Sequence, residues 1–371
     1  MISQTQCTFR IALSTGGGDA PGLNAVIRAS VLSALQRGWE CYGIRDGFAG
    51  ILAPKNYPHG GVVPLTRETV RGITSLGGTI IGTTNRGNPL HYPTIAADGH
   101  QYERDRTDEL VNGLAAYGID ALISIGGDGS MTIAAALARK GVRVIGVPKT
   151  IDNDLDGTVA TFGFDTAVAF ATECLDRLQS TAQAHQRVLV VEVMGRYAGW
   201  IALNAGISGT ANAILIPEIP YNLECVAKKI KQREVDGRFF SIVVVAEGAR
   251  PIGGTASVIE HEAGRAERLG GIGEKVAHEL QELTGRETRV VVLGHLLRGG
   301  TPTTFDRLLA LRFGAAAVRA LEEGQSGVMV ALDPPTVNYI PLEAATSRMK
   351  TVPLDCDTMR TARDLGICFG D

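Results

Sequence analysis

The chain of 371 residues has few aromatics, 5%, and no excess of either charge: 36 Lys and Arg against 39 Asp and Glu leave a formal net charge of −3. Without a global basic field it is not built for nonspecific nucleic-acid binding. No apolar run approaches the ~20 residues that span a bilayer. Met1-Ile2-Ser3-Gln4-Thr5-Gln6 lacks the basic region and apolar stretch of a secretory leader, so a cytoplasmic protein without a membrane partner is expected. The six cysteines, Cys7, Cys41, Cys174, Cys225, Cys356 and Cys368, form no CxxC pair and no metal-like group. Several lie in apolar stretches, and all six read as reduced structural thiols. Short-period repeats and low-complexity linkers are also missing. At ~150 residues per domain the length points to two domains, with no shift in composition to mark their boundary.

What is present is glycine, 46 residues of it, much of it where an apolar run ends and backbone must turn or approach a ligand. Short apolar runs predict strands at Phe9–Ser14, Ala121–Ile125, Val142–Val147, Val188–Val193, Ala213–Ile216, Ile242–Ala246 and Val290–Leu293. Helical spacing fills the gaps at Asn24–Gln36, Met131–Ala138, Thr166–Leu178, Asn222–Gln232, Ile272–Leu283 and Asp306–Leu321. Continuous apolar strands separated by helices are parallel strands buried on both faces. The expected class is therefore α/β, with doubly wound, mostly parallel sheets in two domains. Ligands in such sheets bind beyond the carboxyl ends of the strands.

The loops at those ends carry the chemistry. The first strand runs into Thr15-Gly16-Gly17-Gly18-Asp19-Ala20-Pro21-Gly22-Leu23-Asn24. A dinucleotide fingerprint fails at Pro21, and a P-loop fails because Leu23-Asn24 stands where Lys-Ser/Thr is needed. The loop is either an anion site of bare amides at a helix start or a tight strand–helix turn. Gly126-Gly127-Asp128-Gly129-Ser130 repeats the arrangement: Gly129 leaves room for a phosphate chain, Ser130 can cap the helix or bond a phosphate, and Asp128 suits Mg²⁺. In Pro148-Lys149-Thr150-Ile151-Asp152-Asn153-Asp154, one carboxylate can take a proton from an attacking hydroxyl while its neighbour orients it or a metal. A turn rich in Asp and Asn is the structural alternative. Arg187, Arg196, Arg289 and Arg298 lie near strand ends, where forked guanidinium groups recognise phosphate. His295 alone reads equally as a structural histidine.

Taken together, Gly17–Asn24, Gly126–Ser130, Pro148–Asp154, Ala184–Arg187, Val193–Arg196 and Gly294–Gly300 resemble the phosphofructokinase family, in the family's order, across residues 9 to 320. The resemblance implies transfer of the γ-phosphoryl group of ATP to the 1-hydroxyl of fructose 6-phosphate, a glycolytic step. Gly18, Arg86, Gly87, Gly127, Asp128, Gly129 and Ser130 would line the donor site, with Asp128 on Mg²⁺. Asp152 would be the general base, flanked by Thr150, Ile151 and Asp154. Met194, Gly195, Arg196 and Glu247 would hold the sugar and the reacting region, with Arg196 among the catalytic groups. Arg187, Arg289, His295, Leu296, Leu297 and Arg298 would form the 6-phosphate side.

The resemblance also implies a donor domain of residues 1–163 with about 297–347, a sugar-phosphate domain of about 164–296 with 348–371, and an active site in the cleft between them. A homodimer or homotetramer follows, with Arg187 and Arg289 serving a neighbouring subunit. Arg28 matches the first arginine of the family's effector site, but Leu32 stands at the second. The stretch Arg250–Arg286 is longer than in compact bacterial members. Donor choice rests on Gly129 and Lys149. Pyrophosphate users carry aspartate at the first position and lysine at the second, so this chain is mixed. A carboxylate at 129 would collide with and repel a nucleotide's α-phosphate; glycine removes both objections, which favours ATP. The competing readings are a pyrophosphate-dependent enzyme, another kinase with the Gly-Gly-Asp-Gly loop such as an NAD kinase, and a catalytically silent metabolite-binding paralogue.

Overall fold

The computed structural model describes residues 8–96, 98–260 and 268–371. Cys7, the N-terminal residues and residues 261–267 of the long Arg250–Arg286 stretch lie outside them. The strands are β1 (Arg10–Thr15), β2 (Glu40–Ile44), β3 (Val62–Pro64), β4 (Tyr92–Ile95), β5 (Gln101–Arg104), β6 (Ala121–Gly126) and β7 (Arg143–Pro148). They continue with β8 (Val188–Val193), β9 (Ala213–Leu215), β10 (Ser241–Ala246), β11 (Val258–Glu260), β12 (Arg268–Leu269), β13 (Thr288–Val292), β14 (Val328–Asp333) and β15 (Thr336–Pro341). The chain packs as two units: Met1–Thr150, Leu155–Gly163 and Arg298–Met349 form the first, and Ile151–Asp154, Phe164–Leu297 and Lys350–Asp371 the second.

The first unit holds a seven-stranded sheet in the order β15-β14-β7-β6-β1-β2-β3. Its inner strands run parallel, and β3 and β15 add antiparallel edges. Side chains alternate across it, as strand geometry demands. Ile11, Leu13, Ile123 and Ile125 join one core with helices Leu23–Gln36 and Thr304–Glu322, while Ala12, Leu122 and Val144 face Asp128–Arg139 on the other side. Helices on both faces make the sheet doubly wound, and the order reverses direction at β1, the usual place for a ligand crevice. The second unit holds β13-β8-β10-β9, all parallel. Val188, Val190, Val243 and Val245 pack there against helices Leu223–Val235 and Ile272–Thr284.

Every strand and helix expected from periodicity is present, with ends moved by a few residues. The helix predicted over Thr166–Leu178 runs from Phe164 to His185. Strands β2 and β14 were not expected. Gly43 interrupts the pattern in β2, where a Cβ would meet Ile81 and Leu65. The β14 run Val328–Asp333 cannot be told from a buried helix segment by periodicity alone. Cys41, Cys174, Cys225, Cys356 and Cys368 are free thiols, and burial pushes Cys41 up to about 12. No helix among the described residues is long and apolar enough to cross a membrane.

Candidate active site

Strand register assembles the glycine-rich loops. Thr15 pairs with Ile125 and Gly126 with Pro148, so the segments leaving β1, β6 and β7 emerge side by side at one sheet edge. The Gly16–Gly18 loop is then fastened bond by bond. Gly16 N–H donates to Ile125 O at 2.9 Å and Gly17 N–H to Thr84 O at 2.9 Å. The Thr83 hydroxyl donates to Gly17 O at 2.7 Å, and the Thr15 hydroxyl to Gly82 O at 2.6 Å. Asn24, buried in the first turn of the next helix, donates to Gly77 O at 3.0 Å and accepts from Ile80 N–H at 2.9 Å. That tie holds the Leu76–Arg86 segment against the loop. Gly22 starts the helix at φ 109°, and a Cβ there would lie 2.8 Å from the Phe162 ring, so no other residue fits.

Lys149 is buried, and its ammonium donates to Gly16 O at 3.0 Å and to Gly18 O. The lysine expected to attract either donor is thus bonded to the carbonyls of the glycine loop beside it. Of the two roles expected for Ser130, capping the helix is not the one it plays. Its hydroxyl fills the space beside Gly16 and Gly126, where glycine Cβ atoms would stand, and the helix start has no side-chain cap. Asp128 and Gly129 are exposed in the first turn of Asp128–Arg139. A Cβ on Gly129 would meet no atom within 4 Å. Nothing in the fold therefore demands glycine there. Arg86 is exposed, and Gly87 turns at φ 66° beside Tyr92.

Arg298 belongs to the first unit. Its Nη1 donates to Asp19 O at 3.3 Å, and a Cβ on Gly18 would lie 2.5 Å from the same atom. The expectation of a 6-phosphate ligand thus meets a guanidinium seated on the glycine loop. The segment after β7 passes from one unit to the other. Thr150 O accepts from the Thr161 hydroxyl at 2.6 Å, Asp152 and Asp154 are half-buried with Oδ1 of each fully covered, and Asn153 between them is left-handed at φ 52°. Ile151 and Leu297 are core side chains, 0% and 1% exposed, so only their backbone can face a substrate.

In the second unit the register again decides what meets. Val193 pairs with Ala246 and Val292 with Glu192, which brings Met194–Arg196, Glu247 and the start of Gly294–Arg298 to one edge. Glu247 N–H donates to Val193 O at 2.9 Å and Gly248 N–H to Gly195 O at 3.1 Å, closing the loops on each other. His295 is exposed there. Arg187 and Arg289 are elsewhere. Val188 pairs with Thr288 and Leu189 with Arg289, at the opposite edge of the sheet. Strand β8 spans six residues, so at the rise of a strand the two edges are roughly 20 Å apart. There Glu287, which sequence reasoning missed, accepts from Arg187 Nε at 2.7 Å and from Arg289. Arg187, hydrogen-bonded to the Glu287 carboxyl, holds it below the ordinary glutamate value. One Glu between two Arg positions, 287 beside 289 and opposite 187, is the signal that could have found it.

The family model described as Phosphofructokinase matches residues 10–321. The chain belongs to the phosphofructokinase family. Among relatives, it is 51% identical to the ATP-dependent 6-phosphofructokinase of Chloroflexus aggregans over 362 residues, 98% of each chain. It is 47% identical to the pyrophosphate–fructose 6-phosphate 1-phosphotransferase of Amycolatopsis mediterranei over 350 residues, 94% of this chain and 97% of that one. Among solved structures, Pichia pastoris phosphofructokinase in the T-state superposes with a TM-score of 0.80 at 30% identity, over 97% of this chain and 36% of the yeast one. Members of both phosphofructokinase donor classes are thus near in sequence.

Proposed function

We propose that this phosphofructokinase transfers the γ-phosphoryl group of ATP to the 1-hydroxyl of fructose 6-phosphate in the glycolytic step of the cytoplasm. The observation that carries ATP as donor is Gly129: an exposed position in the first turn of a helix, ordinary in backbone, with open space where a side chain would be. A polyphosphate can lie against that backbone, and the helix start favours its charge. Asp152 takes the proton from the 1-hydroxyl as its oxygen bonds phosphorus and the bond to the departing ADP breaks. Thr150 and Asp154 flank the transferred group; Arg196 and Glu247, on loops closed by main-chain bonds, hold the sugar.

Mg²⁺ fits this arrangement through a single carboxylate. No group of three or more His, Cys, Asp or Glu among the described residues is set to hold a metal. Mg²⁺ in phosphoryl-transfer sites is commonly held by one or two carboxylates together with substrate phosphates and water, and exposed Asp128 beside the helix start suits that role. When bound, the ion would neutralise charge on the polyphosphate. Arg187 and Arg289 are read as 6-phosphate ligands for a neighbouring subunit of a homo-oligomer, since one chain puts them at the edge remote from Met194–Arg196.

The second reading, pyrophosphate as donor, is favoured by Lys149. Its ammonium is engaged by Gly16 O and Gly18 O, so it acts on a donor through the loop, which leaves the choice to Gly129. Fructose 1,6-bisphosphate formation is to be compared with ATP and with pyrophosphate, each with Mg²⁺. ATP should be preferred by a wide margin; preference for pyrophosphate despite Gly129 overturns the donor assignment.

A further inference from the structure

The loop holding Asp152 and Asp154 contains a backbone conformation that L-residues with side chains seldom adopt. Asn153 is left-handed at φ 52° and 4% exposed. Asparagine tolerates this region better than most residues, but a conformation of this kind persists only where its surroundings over-determine it. The surroundings come from the far end of the sequence. Lys350 Nζ donates to Asn153 Oδ1 at 3.0 Å, and Lys350 N–H donates to Asp154 O at 2.9 Å. One residue thus grips two consecutive positions of the loop, one by side chain and one by main chain.

Lys350 is itself anchored. Its carbonyl accepts from Trp200 Nε1 at 2.9 Å, and its ammonium stands 5.7 Å from the centre of the Trp200 ring. Trp200 opens helix Trp200–Ser208, just after the Met194–Arg196 loop. Two residues beyond Lys350, Val352 N–H donates to Glu218 Oε1 at 2.8 Å, and the same carboxylate oxygen accepts from Gly199 N–H at 3.0 Å. A strap at Lys350–Val352 therefore joins the aspartate loop to the helix that carries on from the sugar loop.

We propose that Lys350 is a positioning residue for the phosphoryl transfer: it fixes the left-handed Asn153 and thereby the directions in which Asp152 and Asp154 leave the backbone. The inference rests on the reading of Asp152 as the base. Its effect belongs in turnover, because a base displaced by a fraction of an ångström still leaves the sugar and donor contacts intact.

The test uses the full chain. Lys350→Met keeps an unbranched apolar side chain and removes the ammonium. It should lower kcat between about 10- and 100-fold, the scale of a misplaced catalytic group, with KM for both substrates and the melting temperature close to parental. Lys350→Arg should restore most of the turnover. Parental kcat in Lys350→Met, or a rise in KM with kcat unchanged, overturns the proposal. Should Lys350→Met fold poorly, Asn153→Gly keeps the left-handed turn while deleting the acceptor, and it should show the same kcat loss at parental KM; unchanged turnover in that variant is equally fatal. Asp152→Asn separates the two readings. If it retains turnover, the base assignment falls; if it abolishes turnover while Lys350→Met does not, only the role of Lys350 falls.

Discussion

At the carboxyl edge of the seven-stranded sheet, Gly16, Gly17 and Gly18 are tied by Ile125, Thr84, Thr83 and Lys149. At the amino edge of the four-stranded sheet, Arg187 and Arg289 share one carboxylate, Glu287, with side chains 30%, 59% and 42% exposed. The first region is preorganised: its bonds are made inside one unit, and a polyphosphate would meet fixed dipoles without reorganising them. The second is a pair of charges held on one exposed carboxylate, at the edge of its sheet opposite the Met194–Arg196 loop. On the proposed reading one chain completes the first site and only half supplies the second, so the two respond to substitution in different ways.

The largest effect is expected at the preorganised region. Gly129→Asp adds a carboxylate where no protein atom lies within 4 Å of the new Cβ, at a helix start that favours negative charge. The melting temperature should hold or rise slightly. ATP turnover should nevertheless fall on the order of 100-fold or more in kcat/KM, from like charges a few ångströms apart, with KM for fructose 6-phosphate little changed. Loss of stability in step with activity would mean that glycine serves the fold and not the donor.

At the divided region, Arg187→Ala should raise KM for fructose 6-phosphate by about 10- to 100-fold, the worth of one charge-assisted contact to phosphate. Mixing Arg187→Ala chains with Asp152→Asn chains should recover about a quarter of parental activity if partners exchange freely in a twofold assembly. No recovery after exchange, or an active monomer on sedimentation, would place the whole site within one chain.

The smallest effect concerns Glu287. Glu287→Gln frees both guanidinium groups from a competing carboxylate and should lower KM for fructose 6-phosphate a few-fold at most, as expected for an exposed pair. Its hydrogen bond from Arg187 depresses the carboxyl's pKa, so the bridge is fully present above the unfolded glutamate value of ~4.3 and is lost only as pH falls through the lower folded value. A pH titration of KM in the parental and Glu287→Gln enzymes should therefore differ by a constant factor between pH 6 and 8. A factor that changes across this range would assign the carboxylate another partner.

Much of this was legible in the residues, and what was not has physical causes. Continuous apolar runs identified β1, β6, β7, β8 and β10 because parallel strands covered on both faces must be apolar throughout. The glycine loops were legible because their spacing follows directly from the strand ends. Edge strands such as β3 and β15 are partly exposed and carry only weak patterns. The arginines show the limit most clearly. A local pattern says that Arg187 precedes a strand and that Arg196 follows it; which edge each reaches depends on strand direction and register, which are tertiary facts. Lys350 was invisible for the same reason, since nothing local ties a residue 197 positions away to Asn153.

The open ground around Gly129 has a consequence for descent. A glycine codon becomes an aspartate codon by one base change, and at this position neither residue is required by packing or by backbone conformation. On the reading of Gly129 as the position that chooses the donor, a lineage can therefore cross between phosphoryl donors without passing through a poorly folded intermediate. On that reading donor preference is free to track the supply of ATP and pyrophosphate in the cell, and relatives named for either donor stand at similar identity to this chain, 51% and 47%.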